Sequence, residues 1–401
     1  MVRFSVSSLP FSKKRESLAA ISEKTIIVAG GGTGGHFYPA VAVAQKLMQR
    51  FPEYFPNDRL NIHYVGSKYG LERKLVEDQT FSSTLLPIRG FARYFSIRSL
   101  RNNLAAPINM LRSYLACYSL FKRTKPIAFI GTGSYGMAIP GIIANQLKIP
   151  IYLQEQNAYP GVITRLLSKN ARILFYAFSE ITKHLKDEKL LLIESGNPVR
   201  DNIRPIERKD ACAVYGLDPG KKTVFVFGGS QGAQSINEAL QNAINTLMTR
   251  WNFQVIWQTG HSNYESLASA LPASKGLILR PYINDMENAY SAADLVISRA
   301  GALTIAELIK MSKPAILIPL PSAAANHQMH NARSLENRGA VKVIPDSKLV
   351  EGALINTLHE VLAHPDNLEE MALAMANIPK RPATAIIVDE ILKDLIKMGK
   401  R

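Results

Sequence analysis

The sequence predicts an α/β protein of two Rossmann-like, doubly wound parallel-sheet domains facing each other across a cleft. Three observations predict it. Short apolar runs alternate with helical patterns from Thr25 onward, the order that a parallel sheet with crossover helices requires. That alternation breaks over Asn197–Asp210 and restarts at Lys222, and a length of 401 residues exceeds one ordinary core. Both halves also carry glycine-rich junctions between an apolar run and a helical pattern. Ligands of such sheets bind there, beyond the carboxyl ends of the strands.

In chain order, residues 1–24 carry Arg3, Lys13, Lys14 and Arg15 without a continuous apolar segment. They read as a poorly ordered basic extension and not as a secretory signal. The first domain, 25–196, holds strand candidates at 25–29, 61–65, 83–87, 126–130, 149–153, 172–176 and 190–193. A linker over 197–210 follows, where Asn197, Pro198 and a charged stretch interrupt the pattern. The second domain, 197–378, holds candidates at 222–227, 253–257, 277–279, 295–298, 315–318 and 341–344. Helical patterns over about 350–377 and 383–398 close the chain.

Composition narrows the class. At 47% hydrophobic and 20% charged, the chain reads as a soluble globular protein with no apolar run long enough to span a bilayer. Its two cysteines, Cys117 and Cys212, lie far apart inside apolar helical patterns, which argues against a disulfide framework or a zinc site and suits a reducing compartment. The net charge of +16 is concentrated: residues 1–195 hold 26 Lys/Arg against 12 Asp/Glu, and the rest hold 22 against 20. No acidic residue occurs between Asp78 and Glu155. A basic half suits a polyanionic partner: nucleic acid, an anionic membrane surface or a phosphorylated substrate.

The stretch Thr25–His36 organises the rest. Four apolar residues, Ile26 to Ala29, lead into glycines at 30, 31, 32, 34 and 35, then His36 and a helical pattern. Backbone amides at such a helix start favour an anion. Gly30, Gly32 and Gly35 satisfy the dinucleotide spacing G-x-G-x-x-G, but the second strand ends Tyr64–Lys68 without the acid that would hold a ribose. No Walker-type G-x-x-x-x-G-K-[ST] occurs either, so no nucleotide cofactor is expected. In the second half, Gly228–Ala233 could cradle a pyrophosphate with Ser230, or form a tight turn capped by Ser230. Ser298–Glu307 repeats the plan, and Glu307 reads either as a ligand contact or as compensation of the helix dipole.

Five motifs occur in one order: GGGTGGHFYPA (Gly30–Ala40), EQNAYPG (Glu155–Gly161), GNPVR (Gly196–Arg200), GGSQGA (Gly228–Ala233) and RAGALTIAE (Arg299–Glu307). Together they resemble the MurG-type peptidoglycan N-acetylglucosaminyltransferases, from about Thr25 to Gly339. That resemblance implies a glycosyltransferase B fold, with residues 379–401 crossing back to the first domain. It implies transfer of GlcNAc from UDP-GlcNAc to undecaprenyl-diphospho-MurNAc-pentapeptide, giving lipid II and UDP at the cytoplasmic face of the membrane. Residue by residue, Thr33, Gly34 and Gly35 would line the donor side of the cleft, and Asn157 would bind the donor sugar region. Arg200 and Ser230 would meet the UDP phosphates, and Ile283 the uracil through its backbone. Ala302, Leu303, Thr304, Ile305, Ala306 and Glu307 would hold diphosphate and ribose, and Gln328 the GlcNAc hydroxyls. Gly131 and Tyr135 would face the acceptor diphosphate. The chain departs from the family pattern in having His327 beside Gln328 in place of two glutamines, Gly131–Gly136 as its second glycine loop, and a longer start.

Transfer from a nucleotide sugar requires a stabilised leaving group, a deprotonated acceptor hydroxyl and their alignment. No D-x-D carboxylate pair is present, so no metal is expected. His36, beside the glycine loop, is the best placed of eight histidines to act as general base, or to orient the acceptor, in an inverting single displacement. Arg93, Arg98 and Arg101, interleaved with apolar residues in the acid-free region, suit docking to anionic lipid; core helices with a solvated basic face fit the same spacing. Two rival readings are a UDP-GlcNAc 2-epimerase, which needs carboxylate acid/base groups in the cleft, and a nucleic-acid-binding protein. The latter lacks any recognised module, and no nucleic acid is expected as a partner.

Overall fold

The computed structural model describes residues 22–399, apart from residues 71, 89–96, 186–187, 230–231, 273, 322 and 324–325; the side chains of residues 97–106 and Pro365 are also outside the description. Seven parallel strands form the first sheet: β1 (Ser22–Ala29), β2 (Asp58–Ser67), β3 (Ser82–Leu86), β4 (Ala128–Gly131), β5 (Ile151–Glu155), β6 (Ile173–Tyr176) and β7 (Leu191–Glu194), in the order β3-β2-β1-β4-β5-β6-β7. Six parallel strands form the second: β8 (Thr223–Phe227), β9 (Gln254–Gln258), β10 (Leu277–Arg280), β11 (Leu295–Ser298), β12 (Ala315–Leu317) and β13 (Val341–Val343), in the order β10-β9-β8-β11-β12-β13. The strand order reverses between β1 and β4 and again between β8 and β11, so each sheet opens a crevice there.

Every expected strand run is a strand, with ends displaced by at most three residues. For the inner strands the physical reason is burial on both faces. Ile26 and Val28 pack into one core layer while Ile27 and Ala29 pack into the layer on the opposite face. Val224 and Val226 divide from Phe225 and Phe227 in the same way. Strand β1 begins at Ser22, inside the expected extension, where it pairs with β2 from Asp58; residues 1–21 lie outside the described residues.

The helices of the first domain are α1 (Gly34–Tyr54), α2 (Glu72–Leu75), α3 (Ile97–Thr124), α4 (Ala138–Gln146) and α5 (Val162–Ser168). Those of the second are α6 (Arg208–Tyr215), α7 (Gln234–Asn245), α8 (His261–Ala270), α9 (Met286–Ala292), α10 (Ala302–Met311), α11 (His327–Glu336), α12 (Ala353–Leu362) and α13 (Pro365–Ala376). The pattern read as one helix over 350–377 is thus a 3-10 turn followed by two helices. Pro365 opens α13, because a proline nitrogen cannot donate within a continuing helix. The expected linker ends early, since α6 already begins at Arg208. Cys117 and Cys212 are buried and unpaired, the former with its thiol pushed up to about 12 by burial.

The last helix, α14 (Ala383–Gly399), packs on the first domain. Ile387, Val388, Ile391, Leu392 and Leu395 join its core. Arg172 holds Asp394 with two bonds, at 2.5 and 2.6 Å, and the Tyr152 hydroxyl donates to the same carboxylate at 2.8 Å. The chain therefore passes between the sheets twice, after β7 and before α14. The two passages run side by side: Arg381 pairs with Glu194 at 3.1 Å, and the Thr384 hydroxyl donates to the Val199 carbonyl at 3.4 Å.

Candidate active site

The first-domain wall is the turn from β1 into α1. Gly31 and Gly32 sit at φ +143° and +83°, which only glycine adopts freely, and a Cβ on Gly31 would lie 2.4 Å from a Glu72 oxygen. That carboxylate, wholly buried at the start of α2, accepts from the amides of Gly32 and Ser67, both at 2.8 Å. Thr33 caps α1 through its carbonyl, which accepts from the amides of His36 and Phe37, while its side chain makes no cap bond. Gly34 and Gly35 open the helix, where amides have no carbonyl one turn back.

His36 Nδ1 stands 3.1 Å from the Thr132 carbonyl at the end of β4. A carbonyl only accepts, so Nδ1 carries a proton, and in the neutral ring the lone pair is then on Nε2. The Thr132 hydroxyl returns a bond to the His36 carbonyl at 2.8 Å. Gly133, at φ +101°, is required here: a Cβ would stand 2.4 Å from His36 Nδ1. Gly131 is buried as the last residue of β4, against Met137 and Leu153. Tyr135 opens a 3-10 turn (Tyr135–Met137) and lays its ring beside Gly32.

The second-domain wall is the start of α10, directly after β11. Gly301 caps it, and its carbonyl takes the Ile305 amide. The amides of Ala302, Leu303 and Thr304 therefore precede the first helical bond and suit an anion. Ala302, Ile305 and Ala306 turn toward the linker side, where a cavity of about 760 Å³ also includes Asn331 and Lys380. Glu307 lies on another face of the helix, buried, and accepts from the Tyr290 hydroxyl at 2.9 Å. Burial raises its carboxyl above the usual range, and Arg200 opposes that rise. Arg200 itself lies with its guanidinium 4.2 Å from the Tyr38 ring centroid.

Other expected ligand residues are already engaged in protein bonds. The Ile283 amide donates to Gln258 at 2.9 Å, leaving its carbonyl for a ligand. Gln328 accepts from the Leu320 amide at 2.9 Å, so its amino group is the end left for a sugar. The Asn157 side-chain and backbone amides both donate to Glu155 at 3.2 Å. That buried glutamate also takes Gly161 and Thr164, and so closes the whole loop. Ser230 and Arg93 lie outside the described residues. Arg98 and Arg101 fall on α3, but their side chains are outside the description.

Sequence reasoning missed the residues that join the walls. Tyr38 and Tyr282 meet across the cleft, and Asn197 contacts both domains, donating to the carbonyls of Gln156 at 3.2 Å and Ala302 at 3.3 Å. Only the position of Asn197 within the GNPVR motif hinted at it. On α3, Cys117, Leu120 and Phe121 enter the core, whereas Ile108, Met110, Leu111 and Leu115 are exposed. The buried stripe of the core-helix reading is therefore present on α3, and an exposed apolar face lies beside it. Among the described residues no group of three or more His, Cys, Asp or Glu is arranged to hold a metal, and no helix is long and apolar enough to cross a membrane.

Comparison with known proteins supplies the relatives. Residues 26–175 match the glycosyltransferase family 28 N-terminal domain and residues 223–385 its C-terminal domain. A protein of Chlorobaculum parvum is 38% identical over 87% of this chain and 93% of its own; one of Halothermothrix orenii is 37% identical over 93% and 99%. Both are named UDP-N-acetylglucosamine–N-acetylmuramyl-(pentapeptide) pyrophosphoryl-undecaprenol N-acetylglucosamine transferase. The crystal structure of Acinetobacter baumannii MurG superposes with a TM-score of 0.66 at 29% identity, over 92% of this chain and 99% of that one. A UDP-GlcNAc 2-epimerase of Neisseria meningitidis, 13% identical with a TM-score of 0.61 over 94% of this chain and all of its own, shares the fold alone.

Proposed function

The chain belongs to glycosyltransferase family 28, and from that premise we propose that it transfers GlcNAc from UDP-GlcNAc to undecaprenyl-diphospho-MurNAc-pentapeptide, forming lipid II. The observation that carries this reading is its identity of 38% and 37%, nearly end to end, with transferases of that name. The site supplies the chemistry. The muramoyl 4-hydroxyl attacks C1 of GlcNAc from the face opposite UDP, the C1–O bond to the diphosphate breaks, and UDP leaves with the electron pair. The configuration at C1 inverts. His36 Nε2 takes the hydroxyl proton, a role its Nδ1 bond to Thr132 supports. The amides at the start of α10, with Arg200 and Ser230, receive the diphosphate, and Glu307 accepts from the ribose hydroxyls. Thr33, Gly34, Gly35, Asn157 and Gln328 complete the donor pocket, and Gly131 and Tyr135 border the acceptor.

The lipid-linked acceptor brings the protein to an anionic leaflet as a peripheral protein. Ile108, Leu111 and Leu115 recur at helical spacing on the exposed face of α3, beside Arg112, and this supports docking of that face. The segment bearing Arg93, Arg98 and Arg101 precedes it. Labelled UDP-GlcNAc with lipid-linked MurNAc-pentapeptide tests the function. Label should move into the lipid fraction; label retained in a free UDP-sugar epimer, with none in lipid, overturns the reading.

A further inference from the structure

A line of buried amides runs from the second domain to His36, and it has one direction. Asn197 donates through Nδ2 to two backbone carbonyls, Ala302 and Gln156. Its Oδ1 is thereby turned to accept from Gln154 Nε2, at 3.1 Å. Gln154 must then present Oε1 to Gln156, whose Nε2 donates to it and also to the Thr132 carbonyl at 2.6 Å. Thr132 is the carbonyl that takes His36 Nδ1. Backbone carbonyls cannot donate, so those at both ends dictate the orientation of all three carboxamides and the tautomer of the histidine. A flip of any one amide would set two acceptors against each other in a site where Gln154 and Gln156 are 1% and 2% exposed. The one atom left over, Gln156 Oε1, is buried without a partner beside Gly133.

We propose that Gln154, Gln156 and Asn197 are positioning residues that couple the start of the donor helix α10 to the tautomer and placement of His36. The inference rests on the reading of His36 as the base. Asn197 senses α10 through the Ala302 carbonyl, in the turn that receives the diphosphate. Gln156 holds the same Thr132 carbonyl that takes His36 Nδ1, so the peptide that orients the imidazole cannot rotate freely. A donor that draws α10 inward shifts Asn197 and hence the anchor of His36. The base is thus set in place when UDP-GlcNAc is bound.

Two measurements test it. In protein with 15N-labelled histidine, assigned by loss of signal in His36→Ala, His36 should give the Nδ1–H tautomer, and added UDP should shift its signals. Gln156→Leu should give mixed tautomers, and the isosteric Asn197→Asp should abolish the response to UDP while UDP still binds. Unchanged spectra in both variants overturn the proposal whatever the protein transfers. In transfer assays, Gln156→Leu should lower kcat at least fivefold with the KM for UDP-GlcNAc within twofold, and His36→Ala/Gln156→Leu should be no slower than His36→Ala alone. Additive losses overturn the coupling. Failure of the wild type to transfer label is a separate result, and it overturns the functional reading instead.

Discussion

The phenol oxygens of Tyr38 and Tyr282 lie 2.8 Å apart, and they join α1 of the first domain to the loop after β10 of the second. Burial, and then Tyr282, push the Tyr38 hydroxyl above its ordinary range, so it stays protonated at any working pH. Tyr282→Phe removes a net interaction of about 1 kcal/mol between the walls. The KM for UDP-GlcNAc should rise about fivefold with little change in Tm, measured by steady-state kinetics and calorimetry.

His36→Ala removes the proton acceptor while leaving the donor pocket built. A fall in kcat of about 10²-fold or more is expected, with donor binding retained. Nearly wild-type kcat would assign His36 to acceptor placement or loop packing.

Glu307→Gln separates binding from stability. The variant keeps an oxygen for Tyr290 but has a weaker acceptor for ribose, so the KM for UDP-GlcNAc should rise about tenfold. A carboxyl raised above 4.5 by burial binds its proton more tightly in the folded state. Its contribution to stability is therefore full below that pH and is lost as pH rises through the folded value. Denaturation measured against pH should show this slope in the wild type and a flatter one in Glu307→Gln.

Asp394→Asn weakens the attachment of α14. Arg172 first, and then Tyr152, hold the Asp394 carboxyl below its ordinary range, so its stabilisation is present above about pH 3.8 and lost as pH falls through the lower folded value. With Arg172 partly exposed, a loss of about 1–2 kcal/mol at neutral pH is expected. The difference from wild type should vanish in acid, read by thermal melts across pH.

Ile108→Ser/Leu111→Ser/Leu115→Ser removes apolar area from the exposed face of α3 without touching Cys117, Leu120 or Phe121. Sedimentation with vesicles containing phosphatidylglycerol should fall several-fold at equal Tm. Arg93→Glu/Arg98→Glu/Arg101→Glu should weaken the same binding and its dependence on salt. Undiminished sedimentation would place membrane contact elsewhere.

The sheets were legible because their inner strands are buried on both faces, so runs such as Ile26–Ala29 and Val224–Phe227 leave an apolar trace. The glycine turns were legible too, since positive φ at Gly31, Gly32 and Gly133 writes itself as glycine. What joins the domains was not. Tyr38 and Tyr282 are 244 residues apart, and Asn197 and Ala302 are 105 apart, distances over which no periodicity carries information. Glu72 was hidden for another reason: in a charged stretch with Arg73 and Lys74 it reads as surface, yet it is wholly buried beneath the first glycine turn. Only the fold brings to it the two amides that make such burial tolerable.

Because α14 returns to the first domain beside the segment that left it, the two lobes are joined by a paired tether and not by a single strand of chain. A single tether would allow swivel, twist and separation alike. A pair lying side by side restrains twist and leaves bending about the line through both as the softest motion. One nick in the chain between α13 and α14 would leave the lobes covalently joined, and their fragments would still copurify. The mouth of the cleft can therefore widen to admit a nucleotide sugar while its floor, where the two passages lie side by side, stays in register.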